Sequence, residues 1–315
     1  MQTPVIIAVD FGGTKTAVAV CELDGTQLDT ATAPVAKSGG ARRNLRCGID
    51  LARTLLARCA PGRPVAAVGA CTFGVPLPTE IQLAPNVDGW SDLALASELQ
   101  DAFPGAEISV GNDVKAAATA EFAFGHLAYC DPGIYLNLGT GLAAAVVVGG
   151  TVVNGYHGAS GEIGYNLRSR ADVDHPAGRA ILEEFVSGNA VSARGESVCG
   201  RPVSAADVFA AAATDPRMAD LVSDFVGELA FHLVNLTNAV DPQRIVVGGG
   251  MTASWALLHP ALRAALNAAV PYPPELVRSA FPDRAPLIGA IALGAAAAAA
   301  RPGDVLSCQR TGFVD

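Results

Sequence analysis

Apolar residues in this chain come in short runs separated by Gly-rich turns, and one arrangement of them occurs twice. Residues 5–28 read VIIAVDFGGTKTAVAVCELDGTQL: an apolar run, a turn at Gly12, Gly13 and Thr14, a second run, a turn ending in Gly25 and Thr26, and a third run. Residues 134–153, IYLNLGTGLAAAVVVGGTVV, repeat the order, with Gly139, Thr140 and Gly141 at the first turn and Gly149, Gly150 and Thr151 at the second. Apolar runs bounded by glycine predict strands, so each unit predicts three antiparallel strands joined by tight turns. Two such units imply two similar lobes with a cleft between them, a Gly-Thr turn of each lobe facing it.

The rest of the chain alternates helical and extended spacing. A helix with basic residues on one face is predicted over 41–59 and a strand over 65–71. Residues 72–90, rich in Pro, Gly and Asn, read as a long loop, a kind of segment that is often functional in compact domains. A helix over 93–102, a strand over 106–110 and an Ala-rich helix over 114–124 follow. Beyond the second unit, 154–178 reads as a Gly-rich connection. Helices are then predicted at 179–187, 189–196, 204–213, 217–239 and 254–268, with a buried strand at 244–247, a last helix from Leu287 and a frayed tail from Arg301. The pattern predicts an α/β protein with mixed sheets.

Composition narrows the function classes. The 315 residues suit two domains, and half of them are apolar. A net charge of −9 argues against nucleic acid or an anionic membrane as the main partner. The apolar stretch 285–300 is short for a membrane span and mostly Ala, and reads as a buried helix. The seven cysteines, at 21, 47, 59, 71, 130, 199 and 308, are odd in number and include no CxxC, so a reducing, cytoplasmic location is expected. The first strand begins by about residue 4, leaving no room for a signal peptide.

Four places carry candidate chemistry. Asp10 ends a buried strand before Gly12, Gly13, Thr14 and Lys15. A carboxylate there can hold hydrated Mg²⁺, while the turn's N–H groups, hydroxyl and ammonium suit phosphate oxygens. An ordinary hairpin turn accounts for the same residues, but the second Gly-Thr turn at 139–141 favours the phosphate reading. Asn112 and Asp113 stand between a strand and a helix. Asp113 reads either as the helix N-cap or as a general base that takes a proton from an attacking hydroxyl, with Asn112 orienting the same sugar. Gly248, Gly249 and Gly250 follow a strand, and offer bare backbone to a flat group such as adenine, or form a simple turn. Glu162, in the Gly-rich loop GYHGASGEIG, and Glu183, at the start of ILEEFVSG, are either solvated acids or two carboxylates converging on a polyol. His157 reads as a loop hydrogen-bonding group.

These residues resemble the ROK family of sugar kinases, within the actin/Hsp70/hexokinase superfamily. The resemblance rests on DFGGTK at 10–15, FGVP at 73–76, APNVDGW at 84–90, GND at 111–113, LGTG at 138–141, HGASGEIG at 157–164, ILEEFVSG at 181–188, DPQRIVVGGG at 241–250 and LIGAIALG at 287–294. These run in family order over nearly the whole chain. The resemblance implies a two-lobed actin-like ATPase (ribonuclease H-like) α/β fold with a duplicated mixed sheet. The expected boundaries are a small lobe over 1–114, completed by a helix over 288–301, a large lobe over 115–287, and a tail over 302–315. It further implies transfer of the ATP γ-phosphate to a sugar hydroxyl, usually at carbon six, and a homodimer. Asp113 then looks like the base; Asn112, Glu162, Glu183, Asn86 and Gly158 like sugar ligands; and Asp10 like an Mg²⁺ ligand through water.

One departure stands out. The family reads GExGH followed by a CxCGxxGC cluster that binds zinc with that histidine. Here Tyr165 takes the His position, the following segment has no cysteine, and His175 is a lone imidazole. No zinc is expected. Tyr165 is expected at the sugar, which opens the substrate range to an amino sugar or a seven-carbon cyclitol, with Glu162 paired to a substrate ammonium. The family's repressors carry a helix-turn-helix ahead of this strand; with nine residues before Asp10, a repressor is not the expected reading. Two rival readings remain: a sugar- or nucleotide-sensing protein without catalysis, and an enzyme using polyphosphate or another donor.

Overall fold

Seven consecutive buried residues form β1 (Val5–Phe11), a strand covered on both faces. In the computed structural model, which describes residues 2–36, 40–84, 87–173 and 181–300, β1 pairs antiparallel with β2 (Lys15–Cys21), which pairs antiparallel with β3 (Gln27–Pro34). On its other side β1 runs parallel to β4 (Val65–Thr72), and β7 (Glu107–Asn112) completes the order β3-β2-β1-β4-β7. β3 alternates exposed and half-buried residues, as an edge strand does. Helix α1 (Gly40–Cys59) lays Ala41, Leu45, Ile49, Ala52 and Leu55 on this sheet, a stripe at three- and four-residue spacing. The expected loop over 72–90 is not structureless: it carries a small hairpin, β5 (Val75–Pro76) with β6 (Ile81–Gln82), and ends at the buried Trp90, before α2 (Leu95–Ala102).

The second sheet repeats the first, in the order β10-β9-β8-β11-β12. β8 (Gly133–Leu138) and β9 (Leu142–Val148) are antiparallel, and β10 (Thr151–Val152) continues the meander. β11 (Arg244–Gly248) runs parallel to both β8 and β12 (Glu275–Arg278). β12 was not expected from the sequence: its four residues bury only Leu276, too little to make an apolar run. One face carries α7 (Pro216–Val240) and α8 (Trp255–Ala269), through Phe225, Leu229, Leu258, Leu262 and Leu266. The other carries α3 (Asp113–Phe124), through Val114, Ala117 and Ala118. The expected helix over 179–187 is a single turn, α4 (Glu183–Val186); the part over 179–180 lies outside the described residues, as does the tail from Arg301. Helices α5 (Gly188–Cys199) and α6 (Ala205–Ala211) follow.

The chain divides into two compact units, Met1–Gly111 with the chain from Ala290 onward, and Asn112–Gly289. The second boundary falls inside the last helix, α9 (Ala285–Ala299). Among the described residues no helix is long and apolar enough to cross a membrane.

Helix α9 approaches β4 so closely that only glycine fits. A β-carbon on Gly69 would stand 2.0 Å from the Ala290 carbonyl oxygen and 2.4 Å from the Gly294 nitrogen, both backbone atoms. Gly69→Ala is therefore expected to destabilise the fold by about 3 kcal/mol, read as a lowered urea midpoint. Gly227→Ala is the control. It lies in α7 with nothing within 4 Å of the added carbon, and should gain about 0.5–1 kcal/mol.

Candidate active site

The first unit holds one Gly-Thr turn. Asp10 sits one residue from the end of β1, between Ala17 on β2 and Cys71 on β4, and is 8% exposed. The Cys71 thiol donates to its Oδ1 at 3.5 Å. The turn is closed by the Gly12 N–H donating to the Lys15 carbonyl at 3.1 Å. A side chain on Gly13 would meet nothing, so the backbone there is open, and Thr14 and Lys15 are exposed beside it. Trp90 stacks on Phe73 at 5.2 Å, and its indole N–H donates to Thr72 Oγ1 at 2.8 Å, at the end of β4. Asn86 lies outside the described residues.

The second unit holds the other turn, built from three segments. Gly139 N–H donates to the Gly141 carbonyl at 3.1 Å. The Gly139 carbonyl accepts from Gly188 N–H at 2.9 Å, which joins the turn to the start of α5. Gly249, at φ +89°, lies against the end of β8: a β-carbon there would stand 2.4 Å from the Leu138 carbonyl oxygen. Gly250 beside it faces open space. Gly139, Gly141, Gly249 and Gly250 are thus partly or fully exposed backbone around the end of β8, whereas Gly248, expected with them, is buried: a β-carbon there would stand 2.0 Å from the Tyr135 hydroxyl oxygen. Glu183 completes the turn. Its Oε2 accepts the Leu142 N–H at 2.7 Å, and would lie 2.5 Å from a β-carbon on Gly141. With the carboxylate seated there, a side chain at 141 would displace it from the Leu142 N–H.

At the start of α3 the cap is Asn112 and not Asp113, the residue for which capping is the alternative reading from sequence. Asn112 is the N-cap; its Oδ1 accepts from the N–H groups of Val114 and Lys115, both at 3.0 Å. Asp113 is the first helical residue, not the cap, and its Oδ1 shares the Val114 N–H at 2.8 Å. Burial lifts the Asp113 carboxyl to about 6, against hydrogen bonds from Val114 and its own N–H and the charge of Lys115, which pull the other way. Glu162 is raised too, first by burial and then by the charges of Asp113 and Glu183, with Lys115 opposing. Burial, then Glu183 and Glu162, raises the Tyr165 phenol, so it remains a hydroxyl donor. The structure thus brings Asp113, Glu162, Glu183 and Tyr165 into one electrostatic neighbourhood. Gly158 belongs to it, since its carbonyl accepts from the Lys115 ammonium. His157 is exposed on the loop, edge-on to Tyr156.

Lys115 is the member that sequence reading missed. It is 7% exposed, whereas a lysine on a helix ordinarily reads as solvated. After Tyr165, where the chain has no cysteine, other bonds hold it. Asn166 bonds the His232 ring at 3.3 Å, and Arg168 pairs with Glu228 at 2.5 Å while lying over the Phe185 ring. Among the described residues no group of three or more His, Cys, Asp or Glu could hold a metal. His175 lies outside them.

Comparison with known proteins adds to this picture. The model of the ROK family matches residues 6–297. Kanosamine kinase of Amycolatopsis mediterranei (strain S699) is 28% identical over 267 residues, which cover 83% of this chain and 86% of that one. A ROK hexokinase from Thermus thermophilus has a similar structure, with 28% identity, a TM-score of 0.72, and 92% and 97% of the two chains covered. A ROK family glucokinase from Streptomyces griseus, solved with glucose and AMPPNP, gives 25% identity, a TM-score of 0.73, and coverage of 92% and 99%.

The Asp113 environment has a thermodynamic signature. Its folded pKa lies above the unfolded one, so its contribution is fully favourable below about pH 4 and is lost as pH rises through about 6. Asp113→Asn, which carries no charge, should therefore be more stable than the natural protein by about 2–3 kcal/mol at pH 8. The gap should close towards pH 4, as measured by urea unfolding across that range.

Proposed function

As the chain belongs to the ROK family, we propose that it transfers the γ-phosphate of ATP to a hydroxyl of a hexose or hexose-like sugar, with the 6-hydroxyl as the expected acceptor. The observation that carries this reading is the division of labour at α3: Asn112 satisfies the helix end, which leaves the raised Asp113 carboxylate for proton transfer. The likeness to kinases of a sugar and an amino sugar supports it.

Each group then has a role. Asp113 accepts the acceptor hydroxyl's proton as that oxygen attacks phosphorus, and a base with a pKa near 6 is ionised at pH 7 yet basic enough to take it. Glu162, Glu183 and the Tyr165 hydroxyl bind and orient sugar hydroxyls, with the Gly158 segment, the Asn112 amide and Asn86 beside them. Hydrogen-bonding sites of this kind reject analogues that lack the matching hydroxyl. In the second unit the 139–141 turn, and in the first unit Gly12, Gly13, Thr14 and Lys15, each offer groups suited to phosphate oxygens: N–H groups and a hydroxyl in both, and an ammonium in the first. Gly249 and Gly250 offer bare backbone to the adenine. Asp10 suits Mg²⁺ held through water, which would draw charge from the phosphates. Glucose-like sugars are the first acceptors to consider, then an amino sugar or a cyclitol. A homodimer is the expected assembly.

A coupled ADP-release assay tests the reading. The panel is glucose, mannose, N-acetylmannosamine, an aminoglucose and a cyclitol, each with ATP and with polyphosphate. ATP-dependent turnover on at least one sugar is expected, falling on the acid side through about pH 6 as Asp113 protonates. Asp113→Asn should lower kcat by about 10² or more, with sugar binding largely kept. Sugar binding without ADP release across the panel would favour a sensor instead.

A further inference from the structure

A buried ammonium stands among the acceptor-site carboxylates, and the roles above leave it without a task. Lys115 lies on the first turn of α3, two residues after Asp113, and is 7% exposed. Its long side chain does not run out to water, as lysine normally does. It turns inward and donates to the Gly158 carbonyl oxygen. Burying an ammonium costs several kcal/mol unless charges and hydrogen bonds compensate, so a lysine kept here needs partners. Asp113 and Glu162 supply the opposite charge.

The loop that receives this bond has a turn within it, Gly158 N–H donating to the Gly155 carbonyl at 3.4 Å, and is anchored at its ends. Ser160 N–H donates to the Asn154 carbonyl at 3.1 Å, and Ala144 N–H on β9 donates to the Gly161 carbonyl at 2.8 Å. Gly161 sits so close to β9 that a β-carbon would stand 1.9 Å from the Ala144 oxygen. Gly158 lies between these anchors, at φ +78°.

We infer that Lys115 is a positioning residue of the acceptor site: its ammonium ties the 155–162 loop to the first turn of α3, and so sets Glu162 and Asp113 around one fixed positive charge. This rests on the kinase reading for its effect on turnover, but not for its effect on the loop. Four elements contribute charged or titratable groups here: Lys115 of α3 acts on Asp113 and Glu162, Asp113 acts on Tyr135 of β8 and on Glu162 of the loop, Glu121 of α3 also acts on Tyr135, and Glu183 of α4 acts on Glu162. Lys115 is the cation among them. It opposes the rise of both carboxyls, and without it each would hold its proton to higher pH.

Lys115→Met and Lys115→Arg test this. Methionine keeps much of the length without the charge; losing one partner of a buried ion pair is strongly destabilising, so urea unfolding first establishes that the variant is folded, and Lys115→Arg, which keeps the charge, is read in the same assays. Two readouts separate the proposal from the kinase reading. Hydrogen exchange, which needs no activity, should quicken about tenfold at the amides of 156–160 in Lys115→Met, and change less in Lys115→Arg. In the ADP-release assay, Lys115→Met should shift the acid limb of kcat up by about one pH unit and raise the sugar KM about tenfold, with the ATP KM within about twofold. Lys115→Arg should keep the natural acid limb. Unchanged exchange in folded Lys115→Met would overturn the tether. An unshifted acid limb would overturn the electrostatic part, since a merely structural lysine would lower activity equally at every pH. An inactive natural protein whose exchange still responded to Lys115→Met would count against the kinase reading and leave the tether standing.

Discussion

The site depends on where α3 finds acceptors for its first N–H groups. A helix begins with donors that have no partner within it, and a buried helix end must satisfy them. Here the Asn112 side chain takes two of them. The neighbouring carboxylate is thereby spared from serving as the cap, and stays in a poorly solvated place that holds its proton up to about pH 6. The N–H groups of Val114 and of Asp113 itself still pull the carboxyl down, but burial outweighs them. One residue of register at the start of a helix decides which of the two side chains serves as its cap.

The same economy of backbone shapes the second unit's turn. Glycine at 141 makes room for Glu183, glycine at 249 lets β11 emerge against β8, and glycine at 188 lets α5 begin on the Gly139 carbonyl. Glu183 belongs to two neighbourhoods. It accepts from Leu142 N–H on the turn and raises Glu162 and Tyr165 by its charge.

The duplicated sheet was legible because β1, β2, β8 and β9 are buried on both faces, and such strands write continuous apolar runs into the sequence. β12 and the 75–82 hairpin were not, since two to four residues with a single buried side chain leave no periodicity. The candidate site was legible in its residues and not in their division of labour. Asn and Asp are equally good caps on paper, and only the backbone path shows which side chain turns onto the amides. Lys115 was invisible for a different reason. A lysine in a helical stretch carries no mark of burial, because what buries it is a loop more than 40 residues away. The bond from Leu142 to Glu183 spans 41 residues and is equally absent from any local pattern.

The central claim is that a carboxylate freed from capping meets the sugar hydroxyl. A crystal structure with an accepted sugar and a non-hydrolysable ATP analogue tests it most directly. The account predicts an Asp113 oxygen about 2.6–3.2 Å from the acceptor hydroxyl, with Asn112 Oδ1 still on the amides of Val114 and Lys115. A sugar bound with that hydroxyl out of reach of Asp113, and the Asp113 carboxylate turned onto the helix amides in place of Asn112, would contradict it.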